Sequence, residues 1–164
     1  MLNVLFLCTG NSARSIMAEV LLTHRGAGRF RGFSAGSHPK GIVHPLALEV
    51  LNRHQLPTTG LRSKSWDEFG AAGAPELHLV FTVCDQAAQE TCPVWPGHPA
   101  TAHWGIADPA AIAGPDADKR RGFERAFQEL DARIARFLAL PVETMERAAL
   151  RDALDGIGRD AGIT

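Results

Sequence analysis

Cys8-Thr9-Gly10-Asn11-Ser12-Ala13-Arg14, followed at once by Ser15, is the stretch that decides how this chain is read. Residues 2–7 before it form a short apolar run of strand type, and residues 15–22 after it read as the first turns of a helix. A strand that feeds a polar loop and then a helix turns backbone N–H groups toward one point, where the positive end of the helix dipole adds to them. Gly10 and Asn11 tolerate the left-handed backbone that such a loop needs. Arg14 offers a planar fork of donors to two oxygens of a tetrahedral oxyanion, a geometry that a lysine point charge does not reproduce. Thr9, Gly10, Asn11, Ser12, Ala13 and Arg14 are therefore the expected anion-binding residues.

The same field acts on Cys8. A thiol at a helix N-terminus beside a guanidinium ionises more easily, from about 8.5 toward roughly 3.5 to 7.5. Cys8 is thus expected to be a thiolate nucleophile at neutral pH, with Ser15 donating a hydroxyl hydrogen bond to its sulfur. Taken as bare spacing, Cys8 reads equally well as a buried small hydrophobe at a strand end and Arg14 as a surface charge. The order strand, loop, helix favours the nucleophile.

Residues 8–15 resemble the phosphate-binding loop of the low-molecular-weight protein tyrosine phosphatases and of the arsenate reductases that share their fold. Phe33-Ser34-Ala35-Gly36, Lys64-Ser65-Trp66-Asp67-Glu68-Phe69 and Trp104-Gly105-Ile106-Ala107-Asp108-Pro109 resemble the same families in the same order. The resemblance spans residues 2–139 and does not by itself choose between phosphatase and reductase.

The chain has 164 residues, a length that suits one domain with a real core. Residues 1–140 are expected to form the phosphatase-like domain and residues 141–164 a C-terminal helical extension of it rather than a second domain. Lys plus Arg number 17 against 18 for Asp plus Glu, a balance that points to no nucleic-acid or membrane surface and suits a small diffusible substrate. The apolar runs are too short for a membrane span, and Met1-Leu2-Asn3 carries no export signal, so a cytoplasmic protein is expected. Three cysteines are an odd number for a structural disulfide framework in a reducing compartment, which leaves catalysis, metal binding or burial.

Residues 30–35 read as a second strand, 45–54 as a second helix with Pro45 in its first turn, 77–83 as the most strand-like segment and 100–104 as a weaker strand. Residues 107–118, rich in Ala, Pro, Gly and Asp, read as a loop. Residues 118–138 form a long amphipathic pattern with Phe123, Phe127, Leu130, Ile134 and Phe137 on one face. Strands alternating with helices predict an α/β fold, a single-domain three-layer α/β/α arrangement with a four-stranded parallel sheet. Ligands bind such sheets at the carboxyl ends of strands, where Cys8, Cys84 and the loop after Trp104 are expected to meet. Past Pro141, residues 142–154 predict a short helix, with Leu150, Leu154 and Ile157 placed to pack on the body or on a second subunit.

Cys84 directly follows the strand-like residues 77–83, and Cys92 comes eight residues later across a polar stretch. Such a pair forms a disulfide if its segment moves. Inert burial remains open, as does a zinc set of Cys84, Cys92, His98 and His103, although seven residues between the thiols exceed the two to four usual for structural zinc.

The resemblance to thiol-dependent arsenate reductases implies a specific sequence of events. Cys8 attacks arsenate, Asp108 protonates the departing oxygen, Cys84 attacks Cys8 to release arsenite, and Cys92 attacks Cys84 to carry the disulfide outward. Thioredoxin, or glutaredoxin with glutathione, then reduces that disulfide, and no tightly bound cofactor is implied. Phosphate or sulfate fits the loop as arsenate does. Asp108 also reads as an ordinary turn residue beside Pro109. Related phosphatases follow their Asp-Pro pair with tyrosines, whereas Ala110, Ala111 and Ile112 follow here and the chain has no tyrosine. Some reductases of this fold bind potassium at positions that Asn11, Glu19, Ser34 and Ser63 resemble, but Ser65 stands where a carboxylate would help and Lys64 is placed to supply an ammonium instead. No metal is therefore expected, and Asn11 and Ser34 are expected to fix the loop by hydrogen bonds. Two rival functions are a phosphatase that uses Cys8, Arg14 and Asp108, and a non-enzymatic oxyanion-binding or redox-sensing module.

Overall fold

The computed structural model describes residues 1–90 and 95–159. The elements run β1 Leu2–Cys8, α1 Arg14–Arg25, β2 Phe30–Gly36, α2 Pro45–Arg53, β3 Leu79–Thr82, α3 Asp85–Gln89, β4 Ala100–His103, α4 Asp116–Leu138 and α5 Arg147–Arg159, with short 3-10 turns at Trp66–Phe69, Pro109–Ala111 and Val142–Thr144. All strand pairs are parallel and the sheet order is β2-β1-β3-β4.

β1 is apolar at almost every position because both of its faces are covered. Successive side chains point to opposite sides, so Val4, Phe6 and Cys8 enter one apolar cluster and Leu5 and Leu7 the other. The larger cluster holds Ile16, Met17 and Leu21 of α1 and the predicted Phe123, Phe127, Leu130, Ile134 and Phe137 stripe of α4. The smaller is closed by the Trp66–Phe69 turn and Trp95, with the Phe69 ring set edge-on to Phe33 at 5.6 Å between centroids. Parallel strands deliver their carboxyl ends to one edge, and Cys8, Cys84 and Asp108 all line a cleft there.

Boundaries differ from the sequence reading where tertiary contacts decide them. β3 begins only at Leu79, although His78 already donates its N–H to Asn3 O. α4 starts at Asp116, two residues earlier than expected; Pro115 ahead of it is extended, and Asp116 and Asp118 face the positive end of its dipole. The single helix expected over 142–154 is instead a 3-10 turn and then α5, whose Leu150, Leu154 and Ile157 are buried. Trp104 Nε1 donates to Leu154 O at 3.1 Å, and a Cβ at Gly158 would collide with His103 O and Trp104, so α5 lies directly on the end of β4. Arg29 donates to the carbonyls of Leu138 and Leu140 and to Glu143, tying the start of this segment to the turn before β2. Among the described residues no helix is long and apolar enough to cross a membrane.

Candidate active site

The loop after β1 is held from outside by its carbonyl groups. His38 N–H donates to Thr9 O at 2.9 Å, Lys40 N–H to Gly10 O at 2.9 Å and His44 N–H to Ser12 O at 2.8 Å. Carbonyls turned outward leave the N–H groups of the following residues turned toward the centre of the loop. Asn11 takes a left-handed φ of 44°, as the sequence led one to expect. Its side chain accepts the Lys64 N–H at 2.9 Å and donates to Ser15 Oγ at 2.8 Å, so Asn11 fixes the loop in both directions. Gly36 at the end of β2 lies underneath, where a Cβ would stand 2.5 Å from Thr9 O and 3.0 Å from Asn11. α1 then starts with no side-chain cap at Ala13 and no acidic residue in its first turn, which leaves its first N–H groups and its dipole to an anion.

Arg14 Nη1 donates to Ile106 O at 2.8 Å, and Nη2 lies 3.7 Å from Asp108 Oδ2. The residues after β4 therefore aim the guanidinium across the cleft. Asp108 Oδ1 accepts the Ala110 N–H at 2.9 Å, so one carboxylate oxygen makes the turn while the other faces Arg14. The turn reading of Asp108 holds, and its second oxygen remains turned toward Arg14 and the cleft.

Cys8 and Cys84 are both buried and reduced, and both line the cleft. The neighbouring Cys84 side chain, followed by burial, pushes Cys8 up from its ordinary range against the pull of Arg14 and the Asn11 N–H. The Cys8 side chain, with the Ala87 N–H and Thr9, lowers Cys84 to about 5. The two sulfurs thus compete for one negative charge, with the neighbouring thiol and burial working against Arg14 at Cys8. The bond found for Ser15 comes from Asn11. Cys92 lies outside the described residues.

Lys64 Nζ donates to Ser34 O at 2.8 Å and Arg62 O at 3.0 Å and lies 3.7 Å from Glu19 Oε1, while Ser34 Oγ donates to Glu19 at 2.6 Å. The ammonium thus sits among the oxygens beside the loop. Of the zinc set, His103 is bonded to Thr82 and Asp85 at 2.7 and 2.8 Å, and no group of metal-binding side chains is found among the described residues. Sequence reading missed His38, Lys40 and Glu90, which crowd the rim of the loop. Glu90 Oε1 accepts the Thr9 hydroxyl at 3.1 Å and Oε2 lies 3.5 Å from His38 Nδ1. The only local signal for them was polarity.

The family model for low molecular weight phosphotyrosine protein phosphatase matches residues 3–150. An arsenate reductase of Shouchella clausii is 34% identical over 134 residues, 82% of this chain and 93% of that protein. One from Bacillus anthracis is 35% identical over 134 residues, covering 82% and 92%. The crystal structure of arsenate reductase from Archaeoglobus fulgidus superposes with a TM-score of 0.65 at 26% identity, over 84% of this chain and 99% of that one.

Proposed function

We propose that this chain, which belongs to the low molecular weight phosphotyrosine protein phosphatase family, is an arsenate reductase. One observation carries the reading: a second free thiol, Cys84, lines the same cleft as the nucleophile Cys8. A phosphatase needs an anion loop, a nucleophile and an acid. A sulfur poised to attack the nucleophile is what reduction adds, and the 34% and 35% identical relatives bear the name arsenate reductase.

The loop N–H groups and Arg14 hold arsenate, and Cys8 attacks arsenic as its proton passes to Cys84. Asp108 gives a proton to the departing oxygen, which leaves as water. Cys84 then attacks the Cys8 sulfur; the S–S bond forms, the S–As bond breaks, and its electron pair reduces arsenic(V) to arsenic(III), released as arsenite. Cys92 attacks Cys84, which frees Cys8 and leaves a Cys84–Cys92 disulfide for an external thiol carrier, thioredoxin or glutaredoxin with glutathione. Ser15, bonded to Asn11, keeps the loop shaped around the sulfur.

The second reading, hydrolysis of phosphate monoesters, is favoured by the family and by the Cys8, Arg14 and Asp108 constellation. Against it stands the absence of tyrosine from the chain, since an aryl substrate finds no aromatic wall after Pro109. Arsenate-dependent NADPH oxidation with thioredoxin and its reductase, repeated with the glutaredoxin system, separates the two. Sustained turnover with arsenate and slow hydrolysis of an aryl phosphate are expected. Rapid hydrolysis with no arsenite formed would overturn the reductase reading.

A further inference from the structure

We propose that Thr9 and Glu90 form the route by which Cys84 loses its proton before it attacks Cys8, with Glu90 as the acceptor. The inference rests on the reductase reading.

The geometry is a chain of three groups. Thr9 Oγ1 lies 3.7 Å from Cys84 Sγ and donates to Glu90 Oε1 at 3.1 Å. Glu90 Oε2 is 3.5 Å from Nδ1 of His38, whose side chain is 78% exposed, so the far end of the chain meets solvent. A hydroxyl has one hydrogen and can serve only one neighbour at a time. While Cys84 is a thiol, its S–H points at Thr9 Oγ1 and the Thr9 hydrogen points at Glu90. When the S–H bond breaks, its proton joins Thr9 Oγ1 as the original Thr9 proton crosses to Glu90. The hydroxyl ends up reversed, donating to a thiolate. One proton has left Cys84, one has reached Glu90, the net charge is unchanged and no electron has moved.

The reaction needs such a route at this point. In the proposed first step the Cys8 proton passes to Cys84, so Cys84 enters the second step as a thiol and must lose its proton to attack. It is only 3% exposed, which keeps bulk water from taking the proton directly. Arg14 of α1, Lys40 and His38 of the β2–α2 connection, Asp85 of α3 and Asp108 after β4 share the cleft. Asp85 is bonded to His103, and Asp108 is engaged by the Ala110 N–H and Arg14. Glu90 is the carboxylate that Thr9 links to the sulfur.

Simple electrostatics predicts the opposite sign. A carboxylate near Cys84 disfavours its thiolate, so neutralising Glu90 should speed attack at low pH. The proton route makes the same change slow the attack.

The test is a rapid-quench single turnover of the full chain with arsenate, following arsenite release from acid to alkaline pH. Glu90→Gln is expected to slow release by about 100-fold near neutrality and to recover at alkaline pH, where hydroxide replaces the carboxylate. Glu90→Asp should restore part of the rate, Thr9→Val should behave like Glu90→Gln, and Thr9→Ser, which keeps the hydroxyl, should recover much of the rate lost in Thr9→Val. A Glu90→Gln rate equal to or above wild type with the same pH profile overturns the inference while arsenite is still made. A wild-type chain that makes no arsenite overturns the reductase reading itself, and this inference with it.

Discussion

Arg14 Nη2 stands 3.7 Å from Asp108 Oδ2 while its other amino group is bonded to Ile106 O, so the proposed anion clamp and the proposed proton donor are positioned by one another. An oxyanion in the loop competes with Asp108 for the guanidinium, which frees the carboxyl beside the leaving oxygen. The two residues should therefore fail differently. Asp108→Asn is expected to lower kcat for arsenate by roughly 100- to 10,000-fold with KM little changed. Arg14→Lys loses the paired donors and should raise KM by roughly 10- to 100-fold, the size of one or two charge-assisted hydrogen bonds. Steady-state kinetics with arsenate reads both, and a Asp108→Asn change confined to KM would assign the carboxylate to binding.

The three thiols predict a stoichiometric ladder. Cys8→Ser should form no adduct and release no arsenite. Cys84→Ser should trap arsenic on Cys8 and release none, because no sulfur remains to break the S–As bond. Cys92→Ser should release one arsenite per chain and stop, with the Cys8–Cys84 disulfide as the trapped species. Mass mapping after a single exposure to arsenate distinguishes the three. Sustained turnover by Cys92→Ser would remove the third thiol from the relay.

Much of this site was legible because its determinants are local. The apolar residues 2–7, the polar loop and the absence of an acidic first turn in α1 are all contained within about two dozen consecutive residues, and each is visible in the letters. What was hidden depends on partners distant in the chain. The largest influence on the Cys8 thiol comes from Cys84, 76 positions away, and Glu90 reaches Thr9 across 81. α3 was not foreseen because its cap is the Cys84 sulfur, which accepts the Ala87 N–H, rather than one of the usual Ser, Thr, Asp or Asn caps. α5 was expected to start too early because Pro141 and Met145 bracket a separate 3-10 turn that apolar spacing cannot distinguish from a helical one.

Lys64 makes a prediction about cations. Its ammonium satisfies Ser34 O, Arg62 O and the Glu19 carboxylate, and its own N–H holds Asn11 in the loop. Burial lowers its pKa and Glu19 opposes that shift, and we propose that this ammonium takes the place of a monovalent cation. The wild-type rate is expected to be the same in sodium, potassium and choline buffers of equal ionic strength. Lys64→Met should lose rate through a loosened Asn11, and potassium should restore part of it. A wild-type enzyme that slows in choline would show that the ammonium does not suffice.

Glu143 offers a test of how the C-terminal segment is tied down. Arg29 Nε and Nη2 donate to its two oxygens at 2.8 and 2.9 Å, and this lowers the carboxyl from an ordinary 4.5 to about 2. A folded-state value below the unfolded one means that the pair stabilises the fold above the ordinary value and ceases to do so as pH falls from 4.5 toward 2. Both side chains are well exposed, so the effect is small and weakens with salt. Glu143→Gln is expected to lower Tm slightly at neutral pH, and the gap from wild type should close on acidification through that window. The direction follows from proton binding: between the two values the unfolded chain takes up the proton that the folded chain excludes, which pulls the equilibrium toward unfolding. Thermal melts of both proteins across the acid range read the gap directly, and a gap that stays constant down to pH 2 would mean that the Arg29 contact adds nothing to the docking of this segment.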